Sequence, residues 1–330
     1  VELYDVGLNT VTTQNQLIEE KYLQTATLLP NGKVLTVGGR NTVSMNLTSV
    51  QLYNPATNSW TDKAPLTSGR NSHTATLLPN GKVLIVGGEG ASSSVELYDP
   101  VTDSWTTESS LNHGRYNHTA TLLSNGKVLV VGGYGCSGYC DSVEVYDVNT
   151  NLWIDKSSLS VGRANHTATL LPNGKVLVVG GSNASNSVEL YDPITDIWTT
   201  QGDLNHGRYN HTATLLPNGN VVVVGGQGST NVEMFNINSG WTDLSSMNYD
   251  RYYHAAALLS DGKILVSGGQ NSSYNTRTVE LYDPLMDSWT ILPPMSDGRY
   301  NHTATLLGNG KVLISGGNGT SGPVWFWEWL

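Results

Sequence analysis

Residues 166–181 read His-Thr-Ala-Thr-Leu-Leu-Pro-Asn-Gly-Lys-Val-Leu-Val-Val-Gly-Gly, and close copies of this stretch recur along the chain. Seven Gly-Gly pairs mark the copies, and they begin at residues 38, 87, 132, 180, 225, 268 and 316. The intervals between them are 49, 45, 48, 45, 43 and 48 residues. A period of this length, longer than a hairpin and shorter than a domain, is typical of propellers and solenoids. The chain is therefore one repeating object, and we expect its function to lie where the copies differ.

Each copy predicts four short β-strands, which we name a to d in chain order. Residues 166–171 form strand a, and residues 175–181 form strand b. Asn173-Gly174 between them is a strong hairpin signal, because a type I′ turn needs positive φ at both central residues. Strand b is nearly all apolar, which predicts burial on both faces, whereas residues 187–192 alternate like a half-exposed strand c. A Trp-containing strand d follows, and no window shows helical periodicity. Seven such units predict an all-β, seven-bladed β-propeller of four-stranded antiparallel blades.

Gly-Gly at the end of strand b, Tyr in strand c and Trp in strand d resemble the kelch repeat. The variant Arg-x-x-His-Thr-Ala-Thr-Leu-Leu-Pro-Asn-Gly-Lys-Val-Leu is similar to the kelch propellers of microbial secreted proteins and to the central domain of the galactose-oxidase family. The resemblance covers residues 1–323 and implies the propeller fold. It implies little about function, because kelch propellers include enzymes, adhesins and adaptors.

The two ends of the sequence supply complementary halves of one repeat. Val1–Thr25 aligns without a gap on Val95–Thr119, so residues 1–23 are a half-repeat of strands c and d. His302–Gly317 is the missing a–b hairpin. We predict that these halves pair and close the ring, which removes the open edges that promote aggregation. The single propeller domain then covers residues 1–323, with repeats that start near residues 24, 73, 118, 166, 211, 254 and 302.

Residues 324–330 form a Trp-rich strand or tail that this closure leaves over. Val324 follows Gly317 at the same distance as Val95 follows Gly88, so the tail competes with residues 1–5 for one strand-c position. One interpretation is that the tail packs on its own propeller. The other is strand exchange between molecules, a non-closing contact that builds filaments. The candidate assembly residues are Val1, Leu3, Tyr4, Trp325, Phe326, Trp327 and Trp329.

Composition excludes several kinds of partner. The chain carries 17 Lys and Arg against 27 Asp and Glu, which gives a formal net charge of −10. Because no basic run exists, we expect no binding to nucleic acid or to anionic membranes. No apolar stretch reaches the roughly 18 residues of a membrane span, so we expect no membrane insertion. The polar residues are mainly Asn, Thr, Ser and Gly, which is typical of a secreted, extracellular protein.

Cys136 and Cys140 are the only two cysteines, and they share the b–c loop of one repeat. A metal site there would need further His or acidic ligands, and only Asp141 is near. A local disulfide fits the extracellular setting better, and in so short a loop it mainly fixes the shape of the loop. We therefore predict a disulfide, with no metal site and no cofactor.

Eight Asn-x-Ser/Thr sequons are candidate glycosylation sites if the protein passes through a eukaryotic secretory pathway. Four lie in b–c loops and four lie in Asn-His-Thr strings that enter strand a. Both loop sets emerge on the same face of a propeller, so sugars at these sites would cover that face. In the second set Asn and Thr also recur for turn and strand reasons, so we expect occupancy mainly in the b–c loops. The first set is Asn46, Asn183, Asn271 and Asn318, and the second is Asn117, Asn165, Asn210 and Asn301.

Six of the eight histidines occupy one repeat position, and an arginine precedes each of them by three residues. Such a ring of His and Arg at the channel mouth is one way to bind an anion or a metal ion. We favour the alternative that each pair satisfies the backbone of neighbouring blades, because an active site breaks symmetry whereas a scaffold repeats. The half-repeat has Lys21 in place of Arg and Gln24 in place of His. The six histidines are His73, His118, His166, His211, His254 and His302, and the arginines are Arg70, Arg115, Arg163, Arg208, Arg251 and Arg299.

Signatures of catalysis are missing from the sequence. The copper site of the galactose-oxidase family uses two Tyr, two His and a Cys that is cross-linked to one Tyr, and an added C-terminal domain closes it. Every His here has a counterpart in another repeat and both Cys share one loop, so no copper ligand is carried over. Ser-His-Asp, His-Glu-x-x-His, P-loop and dinucleotide motifs are also missing. We expect no catalytic activity, and a degenerate galactose-oxidase-like copper enzyme is the least favoured alternative.

The b–c loops are where the repeats differ most, and residues 40–49, 134–142 and 270–278 are the longest. These loops are either ordinary solvated loops or a binding face, since they carry residue types that are frequent in interface hot spots. We predict a non-catalytic extracellular structural, adhesive or assembly module, whose partners are further copies of itself or other extracellular proteins and glycans. The alternative is a carbohydrate- or protein-binding module that uses the b–c face. The candidate binding residues are Arg40, Tyr134, Tyr139, Tyr274 and Arg277.

Overall fold

The computed structural model describes residues 1–271 and 273–319. Within these residues the chain forms 28 strands and no helix. In chain order the strands are β1 (Glu2–Asp5), β2 (Thr10–Thr13), β3 (Thr25–Leu28), β4 (Val34–Val37), β5 (Val50–Asn54), β6 (Ser59–Asp62), β7 (Thr74–Leu77), β8 (Val83–Val86), β9 (Val95–Asp99), β10 (Ser104–Thr107), β11 (Thr119–Leu122), β12 (Val128–Val131), β13 (Val143–Asp147), β14 (Leu152–Lys156), β15 (Thr167–Leu170), β16 (Val176–Val179), β17 (Val188–Asp192), β18 (Ile197–Gln201), β19 (Thr212–Leu215), β20 (Val221–Val224), β21 (Val232–Asn236), β22 (Gly240–Leu244), β23 (Ala255–Leu258), β24 (Ile264–Ser267), β25 (Val279–Asp283), β26 (Ser288–Leu292), β27 (Thr303–Leu306) and β28 (Val312–Ser315). A helix with the length and apolar character to cross a membrane is likewise not found in these ranges.

The strands form seven four-stranded antiparallel sheets, which are the blades of a propeller. Blades 1 to 6 each use four consecutive strands, from β3–β6 to β23–β26, and blade 7 combines β27 and β28 with β1 and β2. The inner strands of neighbouring blades pack side by side, and β27 lies beside β3, so the ring is closed. The prediction of an all-β, seven-bladed propeller is confirmed.

Blade 7 joins the two ends of the described chain. β1 pairs with β28 so that Leu3 lies opposite Leu313 and Tyr4 lies opposite Val312. This pairing confirms closure by N-terminal strands c and d and the C-terminal a–b hairpin. Val1 and Tyr4 are buried at this junction and Leu3 is half-buried. Trp325, Phe326, Trp327 and Trp329 lie outside the described residues, so a role of the terminal segments in assembly stays a prediction.

The apolar core lies between blades. All four residues of β16 are buried, as the apolar character of strand b predicts. In the layer between blades 3 and 4, Val176 and Val178 pack against Leu129 and Val131 of β12. Strand c is more buried than its alternation predicts, since the first four residues of β17 are buried. The reason is that neighbouring blades cover both faces of strand c: Leu190 packs in the core layer shared with blade 5, and Tyr191 packs in the layer shared with blade 3. Trp198 of strand d adds to the cover of Tyr191, with ring centroids 4.8 Å apart.

In six of the seven blades, an arginine joins the inter-blade loop to the blade that follows. Arg163 donates to the carbonyls of Gly180 and Ser187 at 3.1 and 3.0 Å, and to the carboxylate of Glu189 at 2.5 Å. Its own carbonyl accepts a 2.8 Å hydrogen bond from Gly133 of the preceding blade, so one residue connects two blades. The same pairing recurs at Arg70–Glu96, Arg115–Glu144, Arg208–Glu233, Arg251–Glu280 and Arg299–Glu2.

Arg163→Ala is expected to lower the free energy of unfolding by about 3–5 kcal/mol, because it leaves a buried carboxylate without its partner. The measurement is urea denaturation followed by tryptophan fluorescence. Lys175→Ala is the matched control in the same blade, since it removes only the surface pair with Asp192 at 3.3 Å. Exposed pairs contribute little, so the control is expected to change stability far less. Equal losses in the two variants would contradict the importance assigned to the buried pair.

Candidate functional site

At one end of the central channel, the loop that enters each blade meets the loop that follows strand b. We call the six arginines of the Arg–Glu pairs the framework arginines. The residue after each of them, or after Lys21 in blade 1, is hydrogen-bonded through its backbone to the residue after Gly-Gly. The framework around these pairs repeats, but the pairs themselves vary, and only Tyr209–Gln227 and Tyr252–Gln270 share the same two residue types. We call the fourteen residues the mouth surface. They are Tyr22–Arg40, Asn71–Glu89, Tyr116–Tyr134, Ala164–Ser182, Tyr209–Gln227, Tyr252–Gln270 and Tyr300–Asn318.

A closed ring of backbone hydrogen bonds holds the mouth surface in place. Each member of this ring is the residue that follows the first residue of a mouth pair, such as Leu23 after Tyr22. Its backbone N–H donates to the backbone carbonyl of the ring member in the preceding blade, at 3.0–3.2 Å. Leu23 completes the ring by donating to Asn301. All seven members have φ between 51° and 57°, a region that Asn tolerates better than most residues. Because only backbone atoms form the ring, neighbouring side chains vary without breaking it. The members are Leu23, Ser72, Asn117, Asn165, Asn210, Tyr253 and Asn301.

The six framework histidines also bond from blade to blade. In each case Nε2 lies 2.9–3.0 Å from a hydroxyl group of the preceding blade. Thr usually supplies this hydroxyl from strand a, but β23 has Ala255 there, and Ser267 on the paired strand replaces it for His302. Gln24 takes the histidine position in blade 1 and donates to the Ser315 carbonyl at 3.0 Å. The histidines therefore serve as inter-blade contacts.

Burial keeps these histidines neutral in the folded protein. Burial, together with the smaller effect of nearby arginines, lowers the pKa of His73, His166, His211 and His302 to about 3. The pKa values of His118 and His254 are also well below the usual range, for the same reason. A neutral imidazole whose Nε2 is engaged with a hydroxyl adds no positive charge to the channel.

The free energy of unfolding is expected to decrease in acid, because the six histidines are protonated in the unfolded chain but stay neutral when they are buried in the folded protein. The pKa of His166, for example, is lowered from its ordinary value of 6.5 to about 3 in the folded protein. The free energy of unfolding is therefore highest above pH 6.5 and decreases as the pH falls from 6.5 towards 3. The measurement is the free energy of unfolding against pH. His166→Gln, which reproduces Gln24, should reduce proton uptake on unfolding by about one proton. A stability that stays constant between pH 6.5 and 4 would contradict this account.

The residues predicted for binding occupy two parts of this face. Arg40 and Tyr134 belong to the mouth surface, and the Arg40 guanidinium lies over the Tyr22 ring, 5.5 Å from its centroid. Tyr139 packs edge-on against Tyr134, with centroids 5.3 Å apart. Tyr274 and Arg277 are exposed in the b–c loop of blade 6, three blades away from Tyr134. The structure thus brings Tyr134 and Tyr139 together but separates them from the blade 6 residues.

An arc of tyrosines on the mouth was not recognised from the sequence. Ring centroids are 6.3 Å apart for Tyr22 and Tyr300, 6.1 Å for Tyr300 and Tyr253, and 5.1 Å for Tyr253 and Tyr252. Burial raises the pKa of Tyr253 to about 12 and raises those of Tyr252 and Tyr300. These phenols remain protonated donors at neutral pH. The sequence does contain an indication of this arc. The position after the framework arginine is usually Tyr, but it varies to Asn71 and Ala164, and such variation within a repeat indicates a residue that the fold does not require.

The disulfide between Cys136 and Cys140 is present, as predicted. It holds a short loop in which the Gly135 N–H donates to the Gly138 carbonyl at 3.0 Å. Tyr134 and Tyr139 flank this loop and form an isolated bridge with each other. The disulfide therefore fixes two aromatic side chains next to each other on the mouth face.

The sequon asparagines differ in exposure. Asn183 is exposed, Asn46 and Asn318 are half-buried, and Asn271 is buried with 9% of its surface exposed. Asn318 also donates to the Tyr300 hydroxyl at 3.0 Å. The four Asn-His-Thr asparagines are members of the backbone ring, where they are half-buried.

We expect a single N-glycan, at Asn183, on the folded protein secreted from a eukaryotic cell. The ring asparagines crowd around the channel, so a sugar on any of them would obstruct the ring. Glycopeptide mass spectrometry checks this, and Asn183→Gln should remove the glycan. Asn186→Gln is the control, because this residue of the same loop is not in a sequon. A glycan at Asn117, Asn165, Asn210 or Asn301 in folded protein would overturn the expectation.

Residues 23–226 match the family model described as the KLHDC2/KLHL20/DRC7 Kelch-repeats domain, and residues 251–296 match the Kelch motif model. A solved structure of a fungal alcohol oxidase of the AA5 family, in complex with copper, is similar with a TM-score of 0.79 and 21% identity. The similarity covers 93% of this chain and 72% of that one. The structure of YjhT is similar with a TM-score of 0.65 and 16% identity, over 86% of this chain and 100% of that one. At these identities both similarities concern the fold. No curated protein matches the sequence.

Proposed function

Because the chain belongs to the kelch-repeat family, we propose that it is an interaction module that binds a partner protein through the mouth surface. The observation that carries the proposal is the contrast between a repeated framework and the mouth, where the seven pairs are of six different kinds. Only Arg40 and Glu89 among these fourteen residues carry full charges. The others are mainly tyrosines and amides, and Tyr is enriched at interface hot spots. Tyr300 and Tyr252 lie in the aromatic arc and are the expected anchors.

The proposed module is non-catalytic. This part of the proposal is supported by the use of the histidines, since the six framework residues are buried and engaged between blades. Both cysteines are joined in the disulfide, so neither is available for a cross-link to tyrosine. The described residues contain no group of three or more His, Cys, Asp or Glu placed to hold a metal ion. The side chains thus do not fit a copper centre of the galactose-oxidase kind. Copper-dependent oxidation of a sugar or alcohol by the purified chain would overturn this part.

We place the module outside the cell, in an adhesive or structural role. The disulfide supports this location, because such bonds persist in oxidising compartments. Immunodetection of the chain in the culture medium or on the cell surface tests the location. Assembly through the terminal segments is tested by light scattering of the intact chain against one that ends at Gly322. If only the intact chain forms large particles, assembly is part of the function; if both are monomers, it is not.

Photo-crosslinking tests the mouth surface directly. A benzoylphenylalanine at position 300 is expected to form adducts with the partner in extracellular extract from the source organism. The same group at position 101 is the control, because Val101 is 91% exposed but lies on the c–d turn at the opposite face. With the purified partner, Tyr300→Ala should weaken binding about 30-fold, equivalent to about 2 kcal/mol. Adducts from position 101 and none from position 300 would refute the proposal.

A further inference from the structure

A compact group of three tyrosines lies where blade 3 meets the mouth. Tyr116 and Tyr134 have ring centroids 5.6 Å apart at 53°, and Tyr134 and Tyr139 are 5.3 Å apart at 88°. Tyr134 and Tyr139 are 40% and 43% exposed. We call these three residues the stapled tyrosine cluster, because the disulfide closes the loop that carries two of them. Tyr134 contacts both of the other rings, so the three tyrosines form one continuous aromatic group that is partly exposed.

Carboxylates border this cluster. Glu89 belongs to the neighbouring mouth pair, and Asn71 donates to one of its oxygens at 3.1 Å, which fixes the carboxylate in place. Its charge reaches the cluster: after burial, Glu89 is the largest influence that raises the pKa of Tyr116. Asp141 is exposed directly after the disulfide. The nearest framework cation, Arg115, is fully buried and paired with Glu144 at 2.6 Å, so its charge is already neutralised.

We propose that the stapled tyrosine cluster, with Glu89 beside it, is a cation-recognition site that takes a lysine or arginine side chain from an extended segment of the partner protein. The proposal rests on the proposed function, because it names the chemistry of one part of the mouth surface. Aromatic faces attract cations through the ring quadrupole, and a cage of several rings strengthens the attraction. The fixed carboxylate adds a charge of opposite sign. The net charge of −10 on the chain favours the approach of a basic segment.

The disulfide has a specific part in this site. Without it, the loop from Gly135 to Gly138 would have to be ordered at each binding event, because its glycines are conformationally free. A loop that is already closed holds Tyr139 against Tyr134 before the ligand arrives, which lowers the ordering cost of binding. Cys136 Sγ also lies 3.7 Å from Ser142 Oγ, and that hydroxyl bonds with Arg115. The loop is therefore anchored to the framework of blade 3.

A pair of matched peptides tests the proposal. The probes are acetyl-Gly-Gly-Lys-Gly-Gly-amide and the same peptide in which a methyl group replaces the charged ammonium group of the lysine. Binding is followed by NMR shifts of protein labelled on its tyrosine rings. The cationic peptide is expected to bind saturably and at least tenfold more tightly than the neutral one, with the largest shifts at Tyr134 and Tyr139. Equal affinities, or no binding of either peptide at about 10 mM, overturn the proposal.

Variants locate the site and separate it from the rest of the mouth. Tyr139→Ala should weaken binding of the cationic peptide at least tenfold, and Glu89→Gln should weaken it about threefold. The double variant Cys136→Ser/Cys140→Ser should also weaken it about threefold. Ile194→Ala is the control: this side chain is 94% exposed but lies on the c–d turn of blade 4, at the opposite face, and its loss should leave binding unchanged. Thermal unfolding of each variant checks that the propeller is intact. Binding that survives Tyr139→Ala would place the cation elsewhere and refute the assignment.

Two further outcomes separate this proposal from the proposed function. If tetramethylammonium ion binds as tightly as the peptide, the site serves a small cation and the assignment to a protein segment fails. If crosslinks form at position 300 but the peptides do not discriminate charge, the cation site fails while the mouth surface stands as the binding face.

Discussion

The guanidinium group of a buried arginine is the constraint on which the rest of this propeller depends. At six of the seven blade junctions an arginine donates to the backbone carbonyl at the end of strand b, and in most of them also to a carbonyl at the start of strand c, as Arg163 does to Gly180 and Ser187. A buried charge is costly unless it is paired, so Glu189 is required by the same arrangement. Blade 1 shows this dependence, because Lys21 and Gln51 replace the arginine and the glutamate together. There the lysine reaches only Ser49, at 3.2 Å to Oγ, and burial lowers its pKa to about 8.

The contacts between blades repeat around the ring, whereas the mouth pairs vary. Arginine side chains, histidine–hydroxyl contacts and the backbone ring hold neighbouring blades together without any contribution from the mouth pairs. Asn71 and Ala164 therefore occupy the same position as Tyr300 without changing the ring. This separation explains how a highly repetitive sequence presents a face on which most pairs differ from blade to blade. It also explains why the histidines, the residues that first attract attention as possible ligands, belong to the scaffold.

Much of the fold was predictable because it depends on local sequence. Gly-Gly and the apolar strand b occur in every copy, and Asn-Gly occurs in every copy but one, which has Asp261-Gly262. The alignment of Val1–Thr25 on Val95–Thr119 predicts how the ring closes. The mouth was only partly predictable, since its pairs join residues from different loops. Arg40 and Tyr134 are predictable as candidate binding residues because they lie in the variable b–c loops. Tyr22 and Tyr252 lie within the repeat motif, where the pattern alone does not distinguish a binding residue from a structural one. Glu189 was overlooked for another reason: alternation assigned strand c an exposed side, whereas the next strand and the neighbouring blade cover it.

The pairing of β1 with β28 also determines the order in which the molecule is completed. Glu2 and Arg299 are 297 positions apart, so their contact waits until almost the whole described chain has left the ribosome. Until then the N-terminal strands have an open edge and no inner neighbours, while blades 1 to 6 fold from local contacts as they emerge. Blade 7 therefore cannot form until β27 and β28 have been synthesised, because they supply its two inner strands. The closed ring is thus the last part of the described fold to become possible, and the two strands that began the chain wait longest for their partner.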